Sequence, residues 1–417
     1  MLVPFEEVAA ELGDRDLQAL ARAARDALAG EGVTFGAKGD ERLHLDPVPR
    51  VIRSAEWSGL EAGLAQRVRA LDAYCADAYG ERRIVREGVV PERVIETAET
   101  YEPSLVGLSL PLWVGIAGLD VVRGPDGRFL VLEDNLRTPS GMAYAIAARA
   151  VSTRLLAPAN PPRPLDGLGD MLALPLSAVS PGGGETVLLT DGADNSAHWE
   201  HCRLAEGLGV RLVGPGELPA SGVVYRRTDA DRLDSPIGRL LEGPWREGRI
   251  GLVNAFGVGV GDDKLAHAYV EDMVRFYLGE EPLLPSVRTF DLGRPEVLAE
   301  ALDRIDELVV KPRSGHGGEG VVICPHAEPE DVAGVRRAVS TSPEDYIAQE
   351  LVSLSCHATV VDGRLEPRHV DLRPFVFLGA GGEARVLPGG LTRVALDEGT
   401  LVVNSSQNGG VKDTWVV

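Results

Sequence analysis

Two separated stretches of this chain hold residues whose types and spacing could do chemistry. In the first, Lys311 closes the apolar run Leu308-Val309-Val310. Pro312-Arg313-Ser314 then leads into Gly315-His316-Gly317-Gly318-Glu319-Gly320, and Val321-Val322-Ile323 leaves it. Apolar, β-branched runs on either side of a glycine cluster read as strand, turn, strand. Gly315, Gly317, Gly318 and Gly320 permit positive φ, so backbone N–H groups can approach a phosphate while Lys311 sets a cation at the base of the loop. An ordinary hairpin turn carries the same glycine signature. A dinucleotide fingerprint or a Walker loop would open a helix, whereas this chain continues as a strand. A phosphate flap between antiparallel strands is the better expectation.

The second stretch comes earlier. Gly118-Leu119-Asp120-Val121-Val122-Arg123 and Arg128-Phe129-Leu130-Val131-Leu132-Glu133-Asp134-Asn135 flank Gly124-Pro125-Asp126-Gly127. Two apolar runs around such a turn make a hairpin. With a two-residue loop, Asp120 pairs with Val131 and Glu133 lies diagonally on the same face, with Asn135 beyond it. A three-residue loop with a bulge at Gly127 would split the two carboxylates instead. Asp120, Glu133 and Asn135 are hard-oxygen ligands suited to Mg²⁺ that keeps waters and phosphate oxygens. Arg137 follows, a donor suited to a phosphoryl group in transfer. The competing reading is a surface hairpin with solvated acids, which an acid inside an apolar run makes less comfortable.

The elements that position these groups can be taken in order. Helical spacing runs over 5–30 and closes at Gly30, and 32–53 reads as extended. Ser54 looks like the N-cap of a helix over 55–79 that stops at Gly80. Arg50, Arg53, Gln66 and Arg67 are polar there, and the pattern favours a solvated helix face over a site. An Ala-rich helix follows Pro139-Ser140-Gly141 to about Leu156, and APANPPRP over 157–164 reads as a linker. A strand over 185–192, a helix over 196–208 and a strand over 210–213 form a βαβ unit, hence a parallel sheet. Further strands are expected over 223–229 and 251–256, then Asp262-Asp263-Lys264 and a helix to about Leu278. Asn195, Ser196, His198, His201, Arg226 and Arg227 fall at strand ends or on the following helix, where open α/β sheets collect ligands. They are the candidates for acceptor binding.

Composition bounds the rest. The 417 residues carry a formal charge of −21, which disfavours nucleic acid or an anionic membrane as partner. Cys75, Cys202, Cys324 and Cys356 are too dispersed for a disulfide framework or a zinc site. The acidic start MLVPFEEVAAELGDRD is unlike a signal peptide, and no apolar run is long enough to span a bilayer. The cytoplasm is the expected location.

Taken together, Lys264 in an Asp-Lys step, Lys311 before a glycine flap, Gln349-Glu350 before the apolar Leu351-Val352, and Glu133-x-Asn135-x-Arg137 resemble an ATP-grasp enzyme. The metal hairpin precedes the flap, the reverse of the usual order, and so resembles the circularly permuted members. The wording of LDPVPRVI, LRTPSGMAYA, YRRTDADRL, NAFGVGVGDDK and NSSQNGG is similar to that family as well, and the resemblance covers roughly residues 30 to 417. One departure is a loop between Leu212 and Val223 that looks short for the family.

The resemblance implies an α/β (α+β) fold, a circularly permuted ATP-grasp with a parallel α/β middle domain. Its expected divisions are 1–160 (helical region and metal segment), 161–290 (α/β substrate domain) and 291–417 (nucleotide region with the flap). It implies ATP and Mg²⁺. Lys264, Lys311 and the 315–320 loop would hold phosphates, and Gln349, Glu350, Leu351 and Val352 the adenine. Asp120, Glu133 and Asn135 would hold the metal, and Arg137, Arg373 and Arg393 the transferring phosphoryl group. Glu350, His357 and His369 are the choices for ribose. The implied reaction is ATP-dependent carboxylate–amine (or thiol) ligation through an acyl phosphate, with release of ADP and phosphate. A phosphotransferase on the same fold, or an ATP-binding scaffold without turnover, are the alternatives. The implied partners are a small-molecule or peptide carboxylate and an amine acceptor, without nucleic acid or membrane; a homodimer is allowed.

Overall fold

Strands from opposite ends of the chain pair with one another. The computed structural model of the protein describes residues 12–36, 41–315, 319–400, 403 and 409–417. One antiparallel sheet runs Ala384–Val386, Phe375–Leu378, Ile116–Arg123, Phe129–Asn135, so the early hairpin is continued by a late strand. A second runs Leu391–Val394, Gly410–Val416, Leu45–Ile52, its last pair parallel. Both sheets need residues from before and after the middle of the chain.

The middle is the expected parallel sheet, ordered Arg211–Val213, Glu185–Thr190, Gly222–Arg227, Ile250–Val253. Its strands read as near-continuous apolar runs because helices cover them. The flap belongs to a fourth sheet, Thr289–Asp291, Tyr346–Glu350, Leu308–Pro312, Val322–Ile323, all antiparallel. A separate hairpin joins Cys356–Val361 to Arg364–His369.

The helix Ser54–Tyr79 packs under the site and is buried along much of its length. Gly63 lets it approach closely, since a Cβ there would stand 2.6 Å from Leu284 Cβ. Arg53, not Ser54, occupies the cap position, and Ser54 is the first helical residue. The solvated face expected for this region is overturned for Arg50, Gln66 and Arg67, all of which are buried; Arg53 is exposed. Hydrophobic periodicity could not show this, because each has a partner brought by a distant segment.

The helix expected after Asp262-Asp263-Lys264 runs to Leu278, but it is irregular. Gly259–Asp262 is helical, Asp263 turns extended, and 3₁₀, α and π segments follow at Ala266–Tyr269, Val270–Met273 and Val274–Leu278. Asp263 caps Leu265 N through its own side chain at 2.8 Å, which supports the break and sets Lys264 at the kink. The helix Leu168–Ala178, with Pro175 inside it, was not among the expected elements, although its buried Leu168, Leu172 and Leu176 recur at helical spacing. The four cysteines are free thiols. Among the described residues no helix is long and apolar enough to cross a membrane.

Candidate active site

The Ile116–Arg123/Phe129–Asn135 hairpin starts in the bulged register read from its sequence and then shifts again, so Asp120 does not pair with Val131. Gly124 N donates to Arg128 O at 2.9 Å and Gly127 has φ 83°, so the turn is the three-residue form with its bulge. By itself this would separate the acids. A second irregularity at Leu132 shifts the pairing by one residue, and Asp120 then lies opposite Glu133 with Gly118 opposite Asn135. Asp134 meets Arg67 instead, whose Nε and Nη2 reach its two oxygens at 2.7 Å each; His267 Nδ1 is 2.7 Å from Oδ2. Burial opposes ionisation of Asp134, but Arg67 and His267 hold its carboxyl well below the usual range.

Asp120 is also claimed. Arg373 donates to it through Nε at 2.7 Å and Nη2 at 2.9 Å, and Arg393 Nη2 approaches at 2.8 Å. Arg393 is shared with Asp371. Burial works against the Asp120 charge, and the two guanidinium groups outweigh it, so its carboxyl is held well below the ordinary value. Asp120, expected as a third metal ligand, thus takes arginine donors on both of its oxygens. Arg393, expected at the phosphoryl group, sits beside Asp120. It is buried and lines neither of the clefts described below.

For Mg²⁺, Glu133 and Asn135 would provide the oxygen donors. The Asn135 amide is not locked by the protein, its Nδ2 being buried without a partner. Among the described residues no three His, Cys, Asp or Glu side chains form a metal cage. One carboxylate and one amide oxygen suit a cation that takes its remaining ligands from phosphates and water. The residues fit the group.

A narrow cleft brings together Glu133, Lys264, Lys311 and Gln349, with Asp134 and His267 in its wall. Burial pushes the Lys311 ammonium down, with Glu133 pulling it back up and Lys264 adding to the fall. Lys264 Nζ donates to Gly315 O at 2.8 Å and lies 3.6 Å from Glu133 Oε1. Arg313 ties the base of the flap down by donating to Asp263 at 2.7 Å and 3.0 Å and to Val94 O at 2.9 Å. Gly315 and Gly320 have φ of 96° and 70°, and a Cβ at Gly320 would stand 2.7 Å from Pro312 Cγ. Gly317 and Gly318 lie outside the described residues.

The hinge residues are distributed unevenly. Gln349 Nε2 donates to Thr289 Oγ1 at 2.9 Å and its Oε1 is buried without a partner. Glu350 is held by Arg304 at 2.9 Å and 3.1 Å, and Leu351 and Val352 follow the end of their strand. Of the ribose choices, His357 is buried, which pushes its pKa well down, and His369 Nδ1 faces Thr400 O at 3.0 Å.

A second, wider cleft of about 800 Å³ adjoins the first, with Asp262, Asp263 and Lys264 lining both. Arg137 and Arg373 line it together with Asn135, Asp231 and Arg232. Arg137 reaches Asp231 at 3.1 Å and Asp262 at 3.3 Å; Asp262, followed by Asp231, keeps its guanidinium firmly charged.

The six residues expected to bind the acceptor line neither cleft. Arg226 is buried over Phe256 at 3.9 Å and donates to Asn254 O at 2.9 Å; burial pushes its pKa down to about 10. Arg227 ties Pro139 O at 2.7 Å to Glu200 at 2.9 Å. His201 contacts Thr190 Oγ1 at 2.8 Å, and burial pushes its pKa to about 2. Asn195 accepts from Ala197 N at 2.9 Å, Ser196 is exposed, and His198 lies 3.5 Å from Cys202 Sγ. Asn195, His201, Arg226 and Arg227 brace the sheet and its loops. The polar cleft at the strand ends is present, but Asp231 and Arg232 face it, a few residues beyond the arginines that drew attention. The signal was available in Tyr-Arg-Arg-Thr-Asp-Ala-Asp-Arg, where the later charges lie past the buried strand.

A glycine flap and an acidic hairpin converging on one lysine-lined cleft define an ATP-grasp arrangement. The chain belongs to the circularly permuted ATP-grasp type 2 family, which it matches over residues 49–395. It is 45% identical to a putative glutamate–cysteine ligase of Frankia casuarinae over 92% of this chain and 48% of that protein. The figure for another of Frankia alni is 43%, with the same coverage. The chain thus spans about half the length of these curated relatives. An uncharacterized protein of Synechocystis is 41% identical over 94% of this chain and 89% of its own length. A glutathione synthetase-like effector from Globodera pallida, solved in its apo form, shares the fold with a TM-score of 0.65 over the whole of both chains, at 11% identity.

Proposed function

We propose that this chain is an ATP-dependent ligase that joins a carboxylate to an amine through an acyl phosphate, releasing ADP and phosphate. The observation that carries the reading is the continuity of two clefts. Lys264, Lys311 and Glu133 line the narrow one, Arg137 and Arg373 the wide one, and Lys264 belongs to both. Glu133 and Asn135 would hold Mg²⁺, which supplies neutralisation of phosphate charge. Lys311 sits in a buried setting that favours an incoming anion as its partner. Lys264 can exchange the Gly315 carbonyl for a phosphate oxygen and so couple the flap to occupancy. Arg373, fixed by Asp120, and Arg137, fixed by Asp231 and Asp262, face the wide cleft as preoriented cations. In phosphoryl transfer, alignment and stabilisation of developing charge account for most of what a protein supplies.

Membership of the family supports use of ATP, and the names of the two Frankia relatives support an amino acid as substrate. In this reading the hairpin of region 1–160 supplies the metal site, region 161–290 the acceptor side and region 291–417 the flap. Incubation of the protein with Mg·ATP, hydroxylamine and a panel of amino acids and other carboxylic acids tests it. The expected products are ADP, phosphate and a hydroxamate for the right acid. AMP and pyrophosphate would indicate an adenylate mechanism, and a stable phosphorylated acceptor a kinase; either would remove the proposal.

A further inference from the structure

We infer that Asp231 is the catalytic base of this ligase, taking a proton from a primary ammonium group so that its nitrogen can attack the acyl phosphate. The inference rests on the ligase reading above and adds to it a proton acceptor and the charge state in which the amine arrives.

Asp231 lines the wide cleft. Arg137 Nη1 holds its Oδ2 at 3.1 Å, which fixes the carboxylate. Its other oxygen, Oδ1, is buried and has no hydrogen-bond partner. Among the described residues it is the one carboxylate oxygen in that condition. A desolvated carboxylate oxygen without a donor is costly, so a donor is expected there when the site is in use. The neighbouring acids are already occupied. Asp262 accepts from Leu136 N at 2.7 Å and Arg137 N at 3.0 Å, Asp263 is taken by Arg313, and Asp229 accepts from Asn195 at 3.3 Å. Burial pushes the Asp231 carboxyl up, against the pull of Arg137 and Arg226, which suits a group that must accept and return a proton. Glu99, Asp229 and Asp234 also line the cleft, together with Arg137, Arg232, Lys264, Arg313 and Arg373.

The step balances. One ammonium proton moves to Asp231 and frees the nitrogen lone pair. The C–N bond forms as the acyl C–O bond to phosphate breaks, and the electron pair leaves on phosphate. The second proton, lost from nitrogen as the amide forms, departs with inorganic phosphate.

Hydroxylamine, largely unprotonated at neutral pH, needs no such base, and this separates the base role from a structural one. The test compares Asp231→Asn with wild type, using the acid that gives a hydroxamate and either hydroxylamine or the α-amino acids as nucleophile. Because Asp231 also fixes Arg137, the base role is read from the ratio of the two products: amide formation should fall about a hundredfold or more beyond any fall in hydroxamate formation, with Mg·ATP affinity near wild type. Asp231→Ser should show the same split if the Asn variant fails to fold. Parallel loss of both products, retention of both, or a wild type that accepts hydroxylamine but no amino acid would overturn the inference. A wild type that forms no hydroxamate from any acid is a different result, and it removes the ligase reading itself.

Discussion

Asp120 lies opposite Glu133 across the hairpin, yet its carboxylate is held by Arg373, 253 residues later in the chain. Arg393 joins the same carboxylate and carries the link on to Asp371. Two acids and two arginines thus form a cluster that clamps the early hairpin to the late strands. The cluster leaves Glu133 and Arg373 exposed to the clefts while their neighbours are neutralised behind them.

Asp120→Ala should be strongly destabilising, because it leaves two guanidinium groups without their shared acceptor. Breaking a buried pair in this way costs about 3–5 kcal/mol. Urea denaturation should show a lower midpoint with an unchanged slope. A midpoint within error of wild type would mean that the cluster is not holding the sheet.

Acid should weaken the protein through Asp120 and Asp134. Each has a folded pKa depressed below its unfolded value, so each contributes stability above that unfolded value, near about 4, and loses it as pH falls further. Thermal melts should therefore fall steeply below about pH 4. Asp134→Asn should lower stability at neutral pH and flatten this acid limb. An acid limb as steep as that of wild type would show that Asp134 is not held by Arg67 in solution.

Lys311→Ala and Glu133→Ala should each weaken Mg·ATP binding by roughly ten- to a hundredfold, as expected for a lost charge-assisted contact. Calorimetric titration gives the affinities. Unchanged affinity in both variants would place the nucleotide elsewhere.

Legibility in the sequence followed the range of the interactions. The flap strands, the βαβ unit and the hairpin were readable because apolar runs and glycine turns are local signals. The second shift at Leu132 was not, since it depends on the strands that flank the hairpin in three dimensions. Arg67 and Arg50 looked like surface residues for the same reason: their partners Asp134 and Asp371 come from other segments. Charge at strand ends correctly indicated a cleft beside the parallel sheet. It could not separate Arg226 and Arg227, which the sheet buries, from Asp231 and Arg232 on the cleft wall.

Because Phe375–Leu378 pairs with Ile116–Arg123, residues 1–160 and 165–417 expressed apart should each fold poorly. Mixed together, they should recover Mg·ATP binding. Binding by 165–417 alone at full affinity would contradict a nucleotide site built from both ends of the chain.

The central claim is transfer of the γ-phosphoryl group to a carboxylate in the joined clefts, and oxygen labelling follows that transfer atom by atom. The acid that gives a hydroxamate is supplied with ¹⁸O in both carboxylate oxygens, together with Mg·ATP and an amine, and the products are read by mass spectrometry. An acyl-phosphate ligase passes one ¹⁸O to inorganic phosphate and leaves ADP unlabelled. Unlabelled phosphate, or label in AMP, would contradict it.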